Sequence, residues 1–137
     1  MRRLFLVLIL AGAVAAALAW PRLNDVETGR TPEYPDLQVR TYARDVASVV
    51  KAAQRVVERL PRWTFVGAGQ GPGGAEVRAV HKTPVFRFSD DVTVRIRAAG
   101  GRATVSVRSK ARVGKWDFGQ NARNIRELLG ELDRELR

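Results

Sequence analysis

DVTVRIRAAGGRATVSVRSK, residues 91–110, decides the fold. Apolar and polar residues alternate strictly on both sides of Gly100-Gly101. Successive strand side chains point to opposite faces, so Val92, Val94, Ile96 and Ala98 share one face of one strand. Ala103, Val105 and Val107 share one face of the next. Two adjacent glycines between alternating runs predict a two-residue hairpin turn. A sheet with one apolar and one polar face needs a covering layer on the apolar side.

Working outward, that layer is supplied from both ends of the chain. Val46, Val49, Val50, Ala53, Val57 and Leu60 recur at helical spacing, and Pro61 stops the run. Ala122, Ile125, Leu128, Leu129, Leu132 and Leu136 form a second stripe. This second helix is expected to start near Asp117, with Gln120 three residues on at capping-box spacing. Between the helices, Arg62–Val66 and Glu76–Lys82 read as strands. A third is expected over Phe86–Ala98, bent at Ser89-Asp90, and a fourth over Arg102–Lys110. Gly67–Gly74 reads as a flexible loop; it lacks the Gly-Lys-Ser/Thr ending and the following helix of a phosphate-binding loop. The expected fold class is α+β: helix, four antiparallel strands, helix, in a two-layer sandwich. Residues 41–137 form one domain, and residues 21–40, with three prolines, are an extended lead-in or strap.

Residues 1–20 carry the address. Arg2 and Arg3 precede an unbroken apolar run from Leu4 to Trp20. Ala17-Leu18-Ala19 fits a signal-peptide cleavage site. The run also reaches the lower edge of membrane-helix length, with Trp20 placed as an interfacial aromatic. As signal or as anchor, it puts the domain outside the cytoplasm, because the flanking positive charges stay inside. The expected location is the cell inner membrane facing the periplasm, or the periplasm itself. The Arg pair lacks the usual flanks of a twin-arginine signal, and no Cys follows to carry a lipid.

The chain has 24 basic and 14 acidic residues, a net charge of +10, one His and no Cys. That composition leaves no disulfide and no thiolate metal site, and no metal or other cofactor is expected. Outside the cytoplasm such a charge points to anionic lipid headgroups or a membrane-protein partner, not to nucleic acid. The polar sheet face collects it: Arg95 and Arg97 from one strand, Arg102 and Arg108 from the next, with Arg78 and Lys82 joining. This is either an anion-binding platform of planar guanidinium forks or a solvated face whose charges oppose aggregation.

Three motifs remain. They are Leu23-Asn24-Asp25-Val26-Glu27-Thr28, the run Lys82-Thr83-Pro84-Val85-Phe86-Arg87-Phe88-Ser89-Asp90-Asp91-Val92, and residues 107–125. The last contains Arg108-Ser109, Arg112, Gly114, Asp117, Gly119 and Asn121 in fixed spacing. Together they resemble the bacterial and plastid family known as domain of unknown function 1499 (DUF1499), from about Leu23 to Leu136. Glu27 and Ala111 stand where Ser is more usual in that family. The resemblance implies a small exported or membrane-anchored protein and no established activity. The family-motif residues are Asn24, Asp25, Thr83, Pro84, Phe86, Phe88, Asp90, Asp91, Ser109, Gly114, Asp117 and Gly119.

The last motif joins a strand end to a helix N-terminus, where backbone N–H groups favour anions. Arg108, Arg112 and Arg123 could converge there with Asn121. The internal alternative has Asp117 capping the helix and Asp90 or Asp91 paired with Arg108 or Arg112. Non-enzymatic binding of an anionic ligand, lipid headgroup or membrane partner is the leading functional expectation, with no catalytic residue assigned. The alternative is a hydrolase or transferase using Asp90/Asp91 with Arg108, Arg112 and Asn121. Against it, neighbouring strand residues face opposite ways. His81 reads as a core-edge residue, Ser109 lacks a nucleophile elbow, and Trp63 and Trp116 read as packing.

Overall fold

The computed structural model describes residues 1–137, the side chain of Ala17 excepted. Its elements are α1 (Arg2–Ala19), β1 (Asp25–Glu27), β2 (Arg40–Tyr42), α2 (Val46–Arg59), β3 (Trp63–Gly71), β4 (Gly74–Lys82), β5 (Ser89–Ala99), β6 (Arg102–Ala111) and α3 (Gln120–Leu136). Four long strands form an antiparallel meander, and β1 and β2 both pair with the outer edge of β6. The α+β reading holds, with six strands rather than four.

The faces fall as the alternation requires. Val92, Val94, Ile96, Ala103, Val105 and Val107 are buried, joined by Val77 and Ala79 from β4. Ala98 is a correction: it lies beyond the covering helices and is exposed. Both helices lie on this apolar face and touch each other. They contribute Val49, Ala53, Val56 and Val57, and Ile125, Leu128, Leu129 and Leu132. Full burial of each such Val, Ile or Leu contributes about 1.5–3 kcal/mol before the entropy of ordering is counted. Asp45 caps α2 by accepting from the Ser48 backbone N–H at 2.7 Å. Arg59 of α2 donates to Glu131 and Glu135 of α3, latching the two helices at their outer surface.

Three boundaries differ from expectation. The glycine-rich segment is not a loop: β3 runs through it to Gly71, and Pro72-Gly73 makes the turn into β4. It pairs through its backbone, from Gly67↔Arg78 to Gly71↔Gly74, after a register shift between Phe65 and Gly67. Its small side chains leave room for long ones from β4; a Cβ at Gly71 would overlap the Glu76 carboxylate. Next, β5 starts at Ser89, and the apolar residues before it stand in a loop. Finally, α3 starts at Gln120, with Gly119 at the N-cap in the left-handed region. Asp117 still serves the first turn from outside, accepting from Gly119 N and Asn121 N.

The lead-in belongs to the fold. Thr28 exchanges hydrogen bonds with Val107 through its N–H and its hydroxyl, and Tyr34 and Leu37 join the buried core. Tyr42 donates to Asp133 at 2.7 Å, tying β2 to α3. Burial first, then that acceptor, raises the Tyr42 phenol above its ordinary range. The core and the residues packed on it run from Leu23 to Leu136, so residues 21–137 hold the entire fold. The leucines of α1 lie exposed, and among the described residues no helix is long and apolar enough to cross a membrane.

Candidate functional site

Antiparallel order brings one set of connections to a single end of the sheet. Trp63 pairs with His81, Lys82 with Ser89, Asp90 with Ala111, and Asp25 with Lys110. The α2–β3 turn, the β4–β5 loop, the β6–α3 connection and the segment leaving α1 therefore meet there. All three motifs quoted above lie at this end.

Beneath it is a buried polar network. Asp90 points inward, where Asn124 donates to it at 2.8 Å and His81 Nδ1 faces it at 3.4 Å. Asn124 also donates to Ser109 Oγ at 3.2 Å, and Ser109 donates to Asn121 Oδ1 at 2.7 Å. Asn121 Nδ2 in turn donates to Asp117 at 2.6 Å and to the Asn24 carbonyl at 3.1 Å. His81, Asp90, Ser109, Asn121 and Asn124 are all buried. The network latches the start of α3 and the start of β1 onto the ends of β5 and β6. Buried polar groups of this kind must pair with one another, because no water is available to replace a lost partner. His81 is thus a core residue with an acidic partner that its sequence neighbours do not reveal.

Above the network lies a largely apolar pocket of about 400 Å³. Val85, Phe86 and Phe88 wall one side, and Val113, Trp116 and Phe118 the other, with Asp90, Asp117 and Gln120 at its base. Phe86 stacks on Phe88 at 5.6 Å and Trp116 on Phe118 at 4.5 Å. The β4–β5 loop is closed by a reciprocal pair: Thr83 N–H donates to the Phe88 carbonyl, and Phe88 N–H donates to Thr83 Oγ1. Closure at both ends holds the loop's apolar tip away from the core. Val85 is 80% exposed, Phe86 76%, Val113 65%, Phe88 48% and Phe118 46%. Trp116 Nε1 is buried without a protein acceptor, although it lines the same pocket.

The pocket adjoins the end of α1. A Cβ on Gly119 would stand 2.6 Å from Trp20 Nε1, and Gly119 has φ +79, so only glycine suits this position. Arg123 lies 6.0 Å from the Trp20 ring centroid and Arg22 lies 5.3 Å from that of Trp116.

The expected anion cluster on the β6–α3 motif is not assembled. Asn121 is buried in the network, Arg123 donates to the Phe118 carbonyl and Gln120, and Arg108 lies on the outer sheet face. Arg108 grips Asp25 through two bonds of 2.5 and 2.8 Å, not Asp90 or Asp91. Arg112 grips Asp91 through bonds of 2.7 and 2.9 Å. Asp90 and Asp91 point to opposite faces, so they share no substrate position. The sheet platform is present but partly neutralised. Arg95, Arg97 and Arg102 share the outer face; Arg95 pairs with Glu76 and Glu27, and Arg97 donates to the Gly73 carbonyl. They lie toward the opposite end of the sheet from the aromatic pocket.

Those pairs have an acid signature. The Arg108 bonds hold the Asp25 carboxyl below its ordinary range, and the Arg112 bonds do the same for Asp91. A carboxyl lowered in the folded state contributes stability above its unfolded value, near 4, and loses it as pH falls through the folded value. The melting temperature should therefore fall between about pH 5 and pH 3. The double variant D25N/D91N should show a smaller fall over the same range. Asp36 and Asp45, lowered by their bonds from Arg126 and from the Ser48 backbone, and Glu135, lowered against its burial by bonds from Arg59 and Arg55, keep the residue of the effect.

A small α+β domain with an aromatic-rimmed pocket at one sheet end is the class these features define. The chain belongs to the DUF1499 family, described as proteins of unknown function, whose sequence profile matches residues 15–132. No curated protein matches it. Among solved chains, one from the crystal structure of Ara h 8.0201 is similar at TM-score 0.37 and 10% identity, covering 81% of this chain and 95% of that one.

Proposed function

We propose that this is a membrane-apposed binding domain whose aromatic end docks on an anionic amphiphile surface outside the cytoplasm. The observation that carries the reading is the ring of exposed Val85, Phe86, Phe88, Val113 and Phe118 around an apolar pocket beside Trp20. Large exposed apolar patches mark interaction sites, because leaving them in water is unfavourable. Here they rise from closed loops at the end of the domain where the apolar run leaves it.

The Leu4–Trp20 run supplies delivery, as a cleaved signal or as a short anchor. At about 1.5 Å per residue, the apolar part of α1 rises about 24 Å, against a hydrocarbon core of about 30 Å. An anchor of that length needs Trp20 and the Arg2-Arg3 pair at the two interfaces. The inner membrane facing the periplasm, or the periplasm itself, is the location that follows. Arg22, Arg87, Lys115 and Arg123 lie on the segments that carry the aromatic end and match anionic headgroups.

Flotation of the Pro21–Arg137 piece with vesicles tests the reading. Phosphatidylglycerol vesicles should carry it up, phosphatidylcholine vesicles much less. Equal and negligible recovery with both would overturn docking. A reporter fused after Arg137 should be active outside the cytoplasm only, and a cytoplasmic signal would overturn the location. Resistance to alkaline carbonate extraction would mark an anchor, and release would mark a cleaved signal.

A further inference from the structure

We propose that Arg62, Lys82 and Arg87 form a binding site for a phosphate group, next to the apolar pocket. A cleft of about 270 Å³ is lined by these three cations together with Thr64 and Thr83. Thr83 and Pro84 are shared with the apolar pocket, so the two cavities lie on either side of one wall. An amphiphile could place its chain in one and its phosphate in the other.

The backbone supplies the first argument. Among the described residues, positive φ outside glycine occurs at Arg62 (+68°), Arg87 (+54°) and Phe118 (+52°). All three line this pair of cavities. Leu60 to Trp63 is a turn closed by a Trp63 N–H to Leu60 carbonyl bond, with Pro61 second and Arg62 third. The third position of a turn with positive φ favours Gly or Asn. Arg62 at that position, and Arg87 with a positive φ in the β4–β5 loop, both run against local preference, and strain of this kind collects where ligands are held. Lys82 N–H donates to the Arg62 carbonyl at 2.9 Å, which fixes two of the three cations to each other.

Charge supplies the second. Arg62, Lys82 and Arg87 make no ion pair among the described residues, a trait they share with other exposed cations such as Arg22, Arg78 and Lys110; what sets them apart is that all three line one cleft. All three are exposed, and no carboxylate lines the cleft among the described residues. Two guanidinium forks, an ammonium and two hydroxyls present more donors than the two oxygens of a carboxylate accept. A phosphate monoester or free phosphate, with three or four non-ester oxygens, matches that set. The site rests on the membrane-apposed reading only for the source of the phosphate.

The test uses R62N/K82Q/R87N in the Pro21–Arg137 piece. Asn tolerates positive φ, so the charges go without added strain. In the unsubstituted piece, inorganic phosphate should shift the amide NMR signals of Lys82, Thr83 and Arg87 beyond a sodium chloride control of equal ionic strength. The triple variant should lose those shifts and bind phosphatidic acid vesicles about 100-fold more weakly, while keeping its weak association with phosphatidylcholine. Competition between phosphatidic acid vesicles and inorganic phosphate would support the site with a lipid source. A phosphate response with no vesicle binding would support the site with free phosphate as source and overturn the membrane reading. Unchanged anionic preference in the triple variant, or no phosphate response in the unsubstituted piece, would overturn the site. K82Q alone, at the exposed end of β4, should weaken phosphatidic acid binding about fivefold and serves if the triple variant loses its fold.

Discussion

Replacing Asn121 by Ala should destabilise the domain by about 3 kcal/mol, the largest single-residue effect expected at the aromatic end. Asn121 is fully buried and satisfies three groups at once: the Ser109 hydroxyl, the Asn24 carbonyl and Asp117. Alanine leaves the buried Ser109 hydroxyl without its acceptor and takes one donor each from the half-buried Asp117 carboxylate and Asn24 carbonyl. Each unpaired buried polar group costs about 1–3 kcal/mol, more than the net gain of the bond that was lost. Ser109→Ala should cost less, about 2 kcal/mol, because it leaves the Asn121 Oδ1 without its donor but keeps both Asn121 Nδ2 bonds. Urea unfolding measures both as a shift in midpoint at constant slope. Loss of the amide protection of Gly119–Ile125 before global unfolding should accompany N121A, since Asn121 latches the first turn of α3. A cost below about 1 kcal/mol would show that the network is open to water, and that Asn121 has no latching role.

Much of this fold could be read from the chain, and the physics separates what could from what could not. The alternation in residues 91–110 fixed both faces of β5 and β6, because burial of one face enforces a period of two. The helix stripes were legible for the same reason. The glycine-rich stretch was not, since β3 is held there by backbone bonds to β4 that require nothing of its side chains. Nor was the docking of β1 and β2, whose three-residue strands gain their place from β6. Within the site, Asp90 and Asp91 were expected on opposite faces and are. The Arg112 pair with Asp91 was among those expected; the Arg108 pair was not, because Arg108 could reach several acids and the choice of Asp25 depends on the β1–β6 register. Arg62 and Arg87 also escaped notice, because nothing in a sequence announces a positive φ at Arg. One signal was available and unused. Val85, Val113, Trp116 and Phe118 all fall outside the expected strands and helix stripes. Apolar residues in connections, with no element face to bury them, point to a surface they serve.

That surface yields the second large effect. F86S/F118N should reduce vesicle association of the Pro21–Arg137 piece by about 100-fold on both phosphatidylglycerol and phosphatidylcholine. Burying a Phe contributes about 1.5–3 kcal/mol when complete, and every 1.4 kcal/mol is tenfold. Two partly inserted rings therefore account for about two decades. The folded state should tolerate the change, because Phe86 and Phe118 stand mostly outside the core and Asn suits the positive φ at 118. Melting temperature should move little, which separates lost docking from lost structure. Salt distinguishes this variant from the cationic one. Attraction between exposed charges is screened over about 8–10 Å at physiological ionic strength, whereas apolar insertion is not. The residual binding of F86S/F118N should thus vanish steeply as salt rises, while that of R62N/K82Q/R87N should fall less steeply, with only Arg22, Lys115 and Arg123 left to be screened. Brominated lipids should quench Trp116 in the unsubstituted piece and not in F86S/F118N. Full vesicle binding by the aromatic variant would leave the exposed ring without a role at the membrane and would overturn the docking reading.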